Sequence, residues 1–247
     1  MTAPQNLVGE EFWEDDYLGG VTLPSRPDPG FPFERALAAA LERHAPVAPG
    51  AIVLEAGCAP AKWLVFYAER FGARVTGIEY TPRGAELSRR NLAAAGRDGE
   101  IIEGDFFAVE PRPSDLVLSL GFIEHFDDLD AAFARHVAFL APGGRLAIGV
   151  PNYTGLLGAI QHAADPEHLA LHNRAAMDPE LYRAQAARHG LRVERQVYLG
   201  GPDPDLLRVR HRAWQVPVLG LRVLRPLGAR LNRPWLSAYL LTVLRRA

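Results

Sequence analysis

Apolar positions along the chain fall into two alternating patterns. The stretches "AIVLEA", "RVTGIEY", "EIIEGD", "DLVLSL" and "RLAIGV" are short apolar runs with few charges, as expected of strands buried on both faces of a parallel sheet. Between them the apolar residues recur with helical spacing. "FERALAAALERHA" sets Leu37 and Leu41 four apart among alanines, and further helices are predicted over residues 61–71, Pro82 to Ala95 and Leu129 to Leu140. The turn "APGG" follows the last of these. "MDPELYRAQAARHG" opens on Asp178 as a predicted N-cap, has Pro179 in its first turn, and stops at Gly190. It leads into "LRVERQVYL", and a last apolar segment, "LSAYLLTVL", closes the chain.

This alternation predicts the α/β class: a doubly wound, mostly parallel, seven-stranded sheet with an N-terminal helical arm. Residues 1–45 read as the arm and a cap helix, and residues 46–247 as the main domain. The regular beat is interrupted near 151–177 and 202–235, where insertions are expected to face the substrate. The arm combines "GEEFWEDDYLGG", an acidic aromatic helix, with the Pro-rich connector "LPSRPDPGFP". Trp13 and Tyr17 share a face of that helix. They are candidates to bind substrate by closing a lid over the site, or else to staple the arm to the core.

Composition narrows the class. At 247 residues, with 48% hydrophobic and 23% charged, the chain fits one α/β domain with extensions. No apolar run reaches the length of a membrane span, and the first residues lack the basic and apolar regions of a secretory signal, so a cytoplasmic protein is expected. The lone Cys58 has no partner for an internal disulfide and reads as a small buried hydrophobe. Of the 27 basic and 29 acidic residues, nine arginines and no acid fall after residue 205. The preceding part therefore holds 18 bases against 29 acids, a balance of −11.

In an open parallel sheet, ligands sit beyond the carboxyl ends of the strands. Candidate groups lie at four successive ends: Glu55 to Ala61, then Glu79 and Tyr80, then Asp105 and Phe106, then Leu120 to His125. Glu79 could accept from two ribose hydroxyls, Tyr80 could flank a base, and Asp105 could accept from an exocyclic amine. A dinucleotide fingerprint counted from Gly57 would place glycines where Ala59 and Lys62 stand, which disfavours nicotinamide or flavin. A P-loop is absent.

The motifs "VLEAGCAPAKW", "VTGIEY", "EGDFF", "DLVLSLGFIEHF" and "APGGRLAIGVPN", in that order, resemble those of class I S-adenosylmethionine-dependent methyltransferases, with a Rossmann-like fold. The resemblance spans roughly residues 50 to 152 and continues in the C-terminal strands. It implies S-adenosyl-L-methionine as cofactor. Glu55, Gly57, Cys58, Ala59 and Ala61 would face its methionine part, Glu79 the ribose, Asp105 the adenine amine and Phe106 the adenine ring, with Tyr80 and Leu120 beside them. The family often has glycine where Ala59 and Ala61 stand. Each alanine adds one methyl, which is tolerable at negative φ and strained at positive φ. Pro60 favours an extended Ala59.

Methyl transfer from a sulfonium is an in-line displacement, and alignment alone can supply about 7 to 11 kcal/mol. A base matters when the acceptor is a hydroxyl, and His125 and Glu124 are the catalytic candidates; both could instead serve to shape the pocket. Some relatives that methylate hydroxyls bind a divalent metal through E-x-x-E-H. Gly121 stands at the first position here, so no metal is expected to be required, although His168 and His172 share a helix face. Asn152 and Tyr153 are expected to help bind the acceptor. The expected reaction is O-methylation of a small molecule or saccharide; the alternative is a non-catalytic binding or scaffold protein that keeps the fold. No nucleic-acid partner is expected: the chain owns one lysine, where the RNA ribose methyltransferases that "GCAPAKW" resembles use two. The basic C-terminal segment is expected to pack on acidic residues such as Glu10, Glu11, Glu14, Asp15 and Asp16. Contact with a membrane surface is the other reading, weakened because Pro217, Gly220 and Pro226 should break a long interfacial helix.

Overall fold

The computed structural model describes residues 4–9, 20–209, 212–228 and 231–247. Five strands, β1 (Ile52–Ala56), β2 (Arg74–Glu79), β3 (Gly99–Glu103), β4 (Ser114–Leu120) and β5 (Leu140–Pro151), pair in parallel. β7 (Tyr239–Arg246) inserts antiparallel between β5 and β6 (Leu191–Leu199), giving the order β3-β2-β1-β4-β5-β7-β6. Chain direction across the sheet reverses between β1 and β4, the position where open α/β sheets form a ligand crevice.

Period-two alternation builds a core on each face of this sheet. Val53, Val75, Leu116 and Leu118 point to one side, where α1 (Pro32–His44), α2 (Lys62–Phe71) and α3 (Pro82–Ala94) cover them with Leu37, Leu41, Leu64 and Leu92. Leu54, Val117, Leu146 and Ile148 point to the other side, under Phe133 and Val137 of α4 (Leu129–Ala138) and Tyr182 and Ala186 of α7 (Pro179–Arg188). Asp178 caps α7 as expected, its carboxylate accepting from Glu180 N at 2.9 Å.

Two elements differ from the sequence reading. β5 begins at Leu140 rather than after the "APGG" turn, because Leu140 already pairs with Ser114 and the ladder then shifts register before Leu116. The Pro-Gly-Gly stretch is thus an irregularity inside a strand, with Gly143 at φ 72. The insertion after β5 folds as α5 (Leu156–Ala164) and α6 (Pro166–Ala170). In the second insertion, Pro217, Gly220 and Pro226 do not prevent a helix: α8 (Gln215–Gly228) spans all three. Pro217 lies in its first turn, where a backbone N–H has no intrahelical acceptor to lose, and an interior glycine costs only about 1 kcal/mol. Among the described residues, no helix is long and apolar enough to cross a membrane.

Candidate functional site

The turn after β1 leans on β2: the N–H groups of Gly57 and Cys58 both donate to Ile78 O, at 2.9 and 3.3 Å. Gly57 has φ 65, and a Cβ there would come within 2.5 Å of the Phe122 ring, so only glycine fits. The Ala59–Pro60 peptide is cis. Ala61, buried, has φ 64 and ψ 26 and forms the N-cap of α2; it is the one non-glycine residue at positive φ among those described. The negative φ that would make alanine comfortable is therefore not what the chain adopts, and the conformation costs on the order of 1 to 2 kcal/mol relative to a right-handed one.

Glu79 ends β2, buried and braced from both sides. Its Oε1 accepts from Thr81 N (3.0 Å) and Thr81 Oγ1 (2.9 Å), and its Oε2 accepts from Ala59 N (3.2 Å). Thr81 at the same time caps α3 by accepting from Gly84 N at 3.1 Å. A carboxylate offers about four acceptor positions, so one remains on Oε2 for a ligand, not the two that ribose pairing was expected to use. Glu55, at the end of β1, is buried with Oε2 unpartnered, and burial raises its carboxyl well above the usual range. Asp105 is exposed, its Oδ1 accepting from Phe107 N at 2.9 Å. The Phe106 ring is buried, stacked on Phe139 at 5.2 Å, so one of its faces belongs to the core. Tyr80 stands at the rim, 53% exposed.

These groups converge on one cavity of about 290 Å³, lined by Glu55, Gly57, Cys58, Ala59, Glu79, Tyr80, Asp105, Phe106, Leu120 and His125. Ala61, buried, does not line it. Cys58, also buried, has its thiol pushed up chiefly by burial. Sequence reasoning missed several lining residues. Asn6 and Val8 reach the cavity because the N-terminal segment pairs with the loop after β4, Leu7 N donating to His125 O at 2.7 Å and Asn6 bridging Phe126. Lys62, the only lysine, lines the cavity and forms an ion pair with Glu34; its place at the start of α2 was the available signal. Phe107, Phe122 and Phe126 supply apolar wall.

The two catalytic candidates part company. Both sit in the 3-10 turn Ile123–His125, but His125 lines the cavity whereas Glu124 does not. The Glu124 carboxyl is buried with Oε2 unpartnered, and burial pushes it up to about 8. The His125 imidazole is pushed down to about 4, chiefly by burial. Its Nδ1 lies 2.9 Å from Leu171 O, which can only accept, so Nδ1 carries the proton and Nε2 is the acceptor nitrogen. His172, 4.9 Å away, is pushed down to about 3 by burial and its neighbouring histidines, and it contacts the rings of His168 and Tyr153. Among the described residues, no three His, Cys, Asp or Glu side chains converge in a way that could hold a metal ion.

Asn152 and Tyr153 do not line the cavity. Asn152 is a buried clamp: its Nδ2 donates to Pro234 O and Ser237 O at 2.6 and 2.8 Å, and its Oδ1 accepts from Thr154 Oγ1 at 2.6 Å. The Tyr153 hydroxyl donates to Leu206 O at 2.7 Å. Trp13 and Tyr17 lie outside the described residues, as do Glu10, Glu11, Glu14, Asp15 and Asp16.

Residues 53–144 match the model of a family described as a methyltransferase domain. The chain is 30% identical over 138 residues to a trans-aconitate 2-methyltransferase of Paracidovorax citrulli, covering 54% of this chain and 48% of that one. It is 34% identical over 117 residues to a ubiquinone biosynthesis O-methyltransferase of Methylocella silvestris, covering 46% and 45%. The chain thus spans about half the length of the curated relatives it matches. The fold is shared with an S-adenosylmethionine-dependent methyltransferase from Thiobacillus denitrificans in complex with S-adenosyl-L-homocysteine, at a TM-score of 0.60 and 18% identity, over 97% of this chain and 99% of that one.

Proposed function

We propose that the chain is a class I S-adenosylmethionine-dependent methyltransferase that transfers a methyl group to an oxygen of a small molecule or saccharide, a reading supported by the methyltransferase-domain match, the relatives and the shared fold. The observation that carries this reading is the meeting of the Gly57–Ala61 turn, Glu79, Asp105 and His125 on one cavity. The names of the relatives above, one of them an O-methyltransferase, support oxygen as the acceptor.

The residues present fit the cofactor. Glu55 keeps an orphaned carboxylate oxygen in the cavity wall, and a buried acid without a partner calls for a cation; the ammonium of the methionine part is one. Lys62 is placed to receive the methionine carboxylate in exchange for part of its pairing with Glu34. Glu79 would hold one ribose hydroxyl on Oε2 and Asp105 the adenine amine, between walls of Ile78, Phe107 and Phe122. When bound, the cofactor supplies an electrophilic methyl on a sulfonium.

His125 then acts on the acceptor. It is neutral at pH 7 and lines the cavity, where it would orient a hydroxyl and take its proton. A low proton affinity puts its contribution at or below the lower end of the usual range of about 10²- to 10⁴-fold, at about 10- to 100-fold. Glu124, outside the cavity, would support the turn instead.

The test is release of S-adenosyl-L-homocysteine across a panel of carboxylic acids, phenols and saccharides. Turnover with at least one class is expected, reduced about 10- to 100-fold in His125→Ala with cofactor affinity unchanged. Methyl transfer by His125→Ala at the full rate would refute the role of His125. An absence of turnover on every class, with cofactor bound, would refute the oxygen-acceptor reading.

A further inference from the structure

Five of the seven large apolar side chains exposed among the described residues lie between Val216 and Trp235. Three belong to α8: Val216 at 75% exposure, Leu219 at 58% and Val223 at 71%. Their spacing of three and then four residues places them in one stripe about 60° wide. Val218, turned away from the stripe, is buried, and Arg222, on its flank, pairs with Asp205 at 2.9 Å, so α8 packs on the turn Pro204–Leu206. The apolar stripe is consequently the outer face of a helix that already has its intramolecular partner. Trp235 is exposed nearby in sequence, and its carbonyl accepts from the N–H of Leu156, another exposed apolar residue.

Charge sets what can approach. The segment from Leu206 onward carries nine arginines and no acid, whereas the rest of the chain has a balance of −11. An anionic surface would repel the acidic part of the chain and attract this basic segment, which favours one orientation. An exposed apolar stripe in an arginine-rich segment without acids, which also carries an exposed tryptophan, is the composition of a helix that lies in a lipid headgroup layer. A stable protein interface uses roughly 20 to 30 residues a side, far more than this stripe presents. We propose that α8 seats Val216, Leu219 and Val223 in the surface of an anionic lipid bilayer and so docks the protein peripherally. Attraction between the basic segment and the anionic headgroups would be screened by salt. The proposal is independent of methyl transfer.

The test is co-sedimentation of the full chain with vesicles of phosphatidylcholine alone and of phosphatidylcholine mixed with phosphatidylglycerol. Partition at least about tenfold stronger onto the mixed vesicles is expected, declining as salt is raised. The double variant Leu219→Glu, Val223→Glu should bind about 100-fold more weakly, and the milder Leu219→Ser about tenfold. Both positions are exposed, so circular dichroism and cofactor titration should match the parent protein; that agreement separates a docking defect from failure of the cofactor site. Absence of binding to the mixed vesicles, equal binding to both kinds, or unaltered binding by Leu219→Ser would overturn the proposal.

Discussion

The cofactor side and the acceptor side of the site are assembled by different means. Around β2 and β3 the functional groups stand at strand ends and are held largely by neighbours close in sequence: Thr81 holds Glu79 two residues away, with Ala59 of the adjoining turn bracing its other oxygen, and the backbone of Phe107 holds Asp105. Beyond β5 the opposite holds. Asn152 is tied to Pro234 and Ser237, and Tyr153 to Leu206, between 53 and 85 residues along the chain. Buried histidines fill the space between the two, with His125 on the cavity and His172 behind it. The contrast teaches that one half is held by local backbone geometry and can keep its shape alone, while the other depends on long-range polar clamps and on imidazoles staying neutral.

Acidification tests this most severely. His125, His136 and His172 are depressed to about 4, 4 and 3 in the folded chain. Below an unfolded value near 6.5 the unfolded chain therefore binds more protons, and stability present above pH 6.5 is lost as pH falls through about 4. The upper limits are on the order of 3 kcal/mol for His125 and His136 and about 5 kcal/mol for His172. Glu124 opposes them: its folded value near 8 exceeds the unfolded one, so its contribution is present at low pH and is lost as pH rises through about 8. Glu55, whose carboxyl burial also raises, acts in the same direction; with three imidazoles against these two carboxyls, denaturant unfolding at pH 4 should give a midpoint below that at pH 7. Amide exchange at pH 5 should rise first around residues 152–177; earlier opening of the 57–61 turn would reverse the comparison.

A smaller effect is expected from cutting one clamp. Asn152→Leu leaves the carbonyls of Pro234 and Ser237 without their donor and should cost about 3 to 5 kcal/mol by denaturant unfolding. Cofactor affinity of the protein that remains folded should be unchanged, and a parallel loss of affinity would mean the halves are not separable. The smallest effect concerns Ala61. Replacement by glycine relieves the positive φ but removes a buried methyl and loosens the unfolded chain, so stability should move by less than about 1 kcal/mol. A larger gain would show that the turn carries more strain than its geometry implies.

The same contrast explains what could be read from the sequence. β1 to β4 were legible because each is a short strand between turn and helix signals, and a strand end in a parallel sheet is itself a functional address. The early start of β5 was not, since "APGG" reads as a turn and only the pairing of Leu140 with Ser114 shows that the ladder has begun. α8 was hidden by Pro217, Gly220 and Pro226, whose local preferences are overridden. Glu124 and His125 are adjacent in sequence, and nothing in their order says which of the two faces the cavity. Asn152 and Tyr153 looked like acceptor contacts because they follow a strand end; their partners lie too far along the chain to be anticipated.

The account rests on Glu79 and the turn braced against it forming a cofactor site. Isothermal titration of S-adenosyl-L-homocysteine into the full chain and into Glu79→Ala tests it most directly. One-to-one binding to the parent protein, weakened about 100-fold in the variant through loss of the ribose bond and of the brace on Ala59, is the predicted result. Binding of equal strength to both proteins, or to neither, would contradict it.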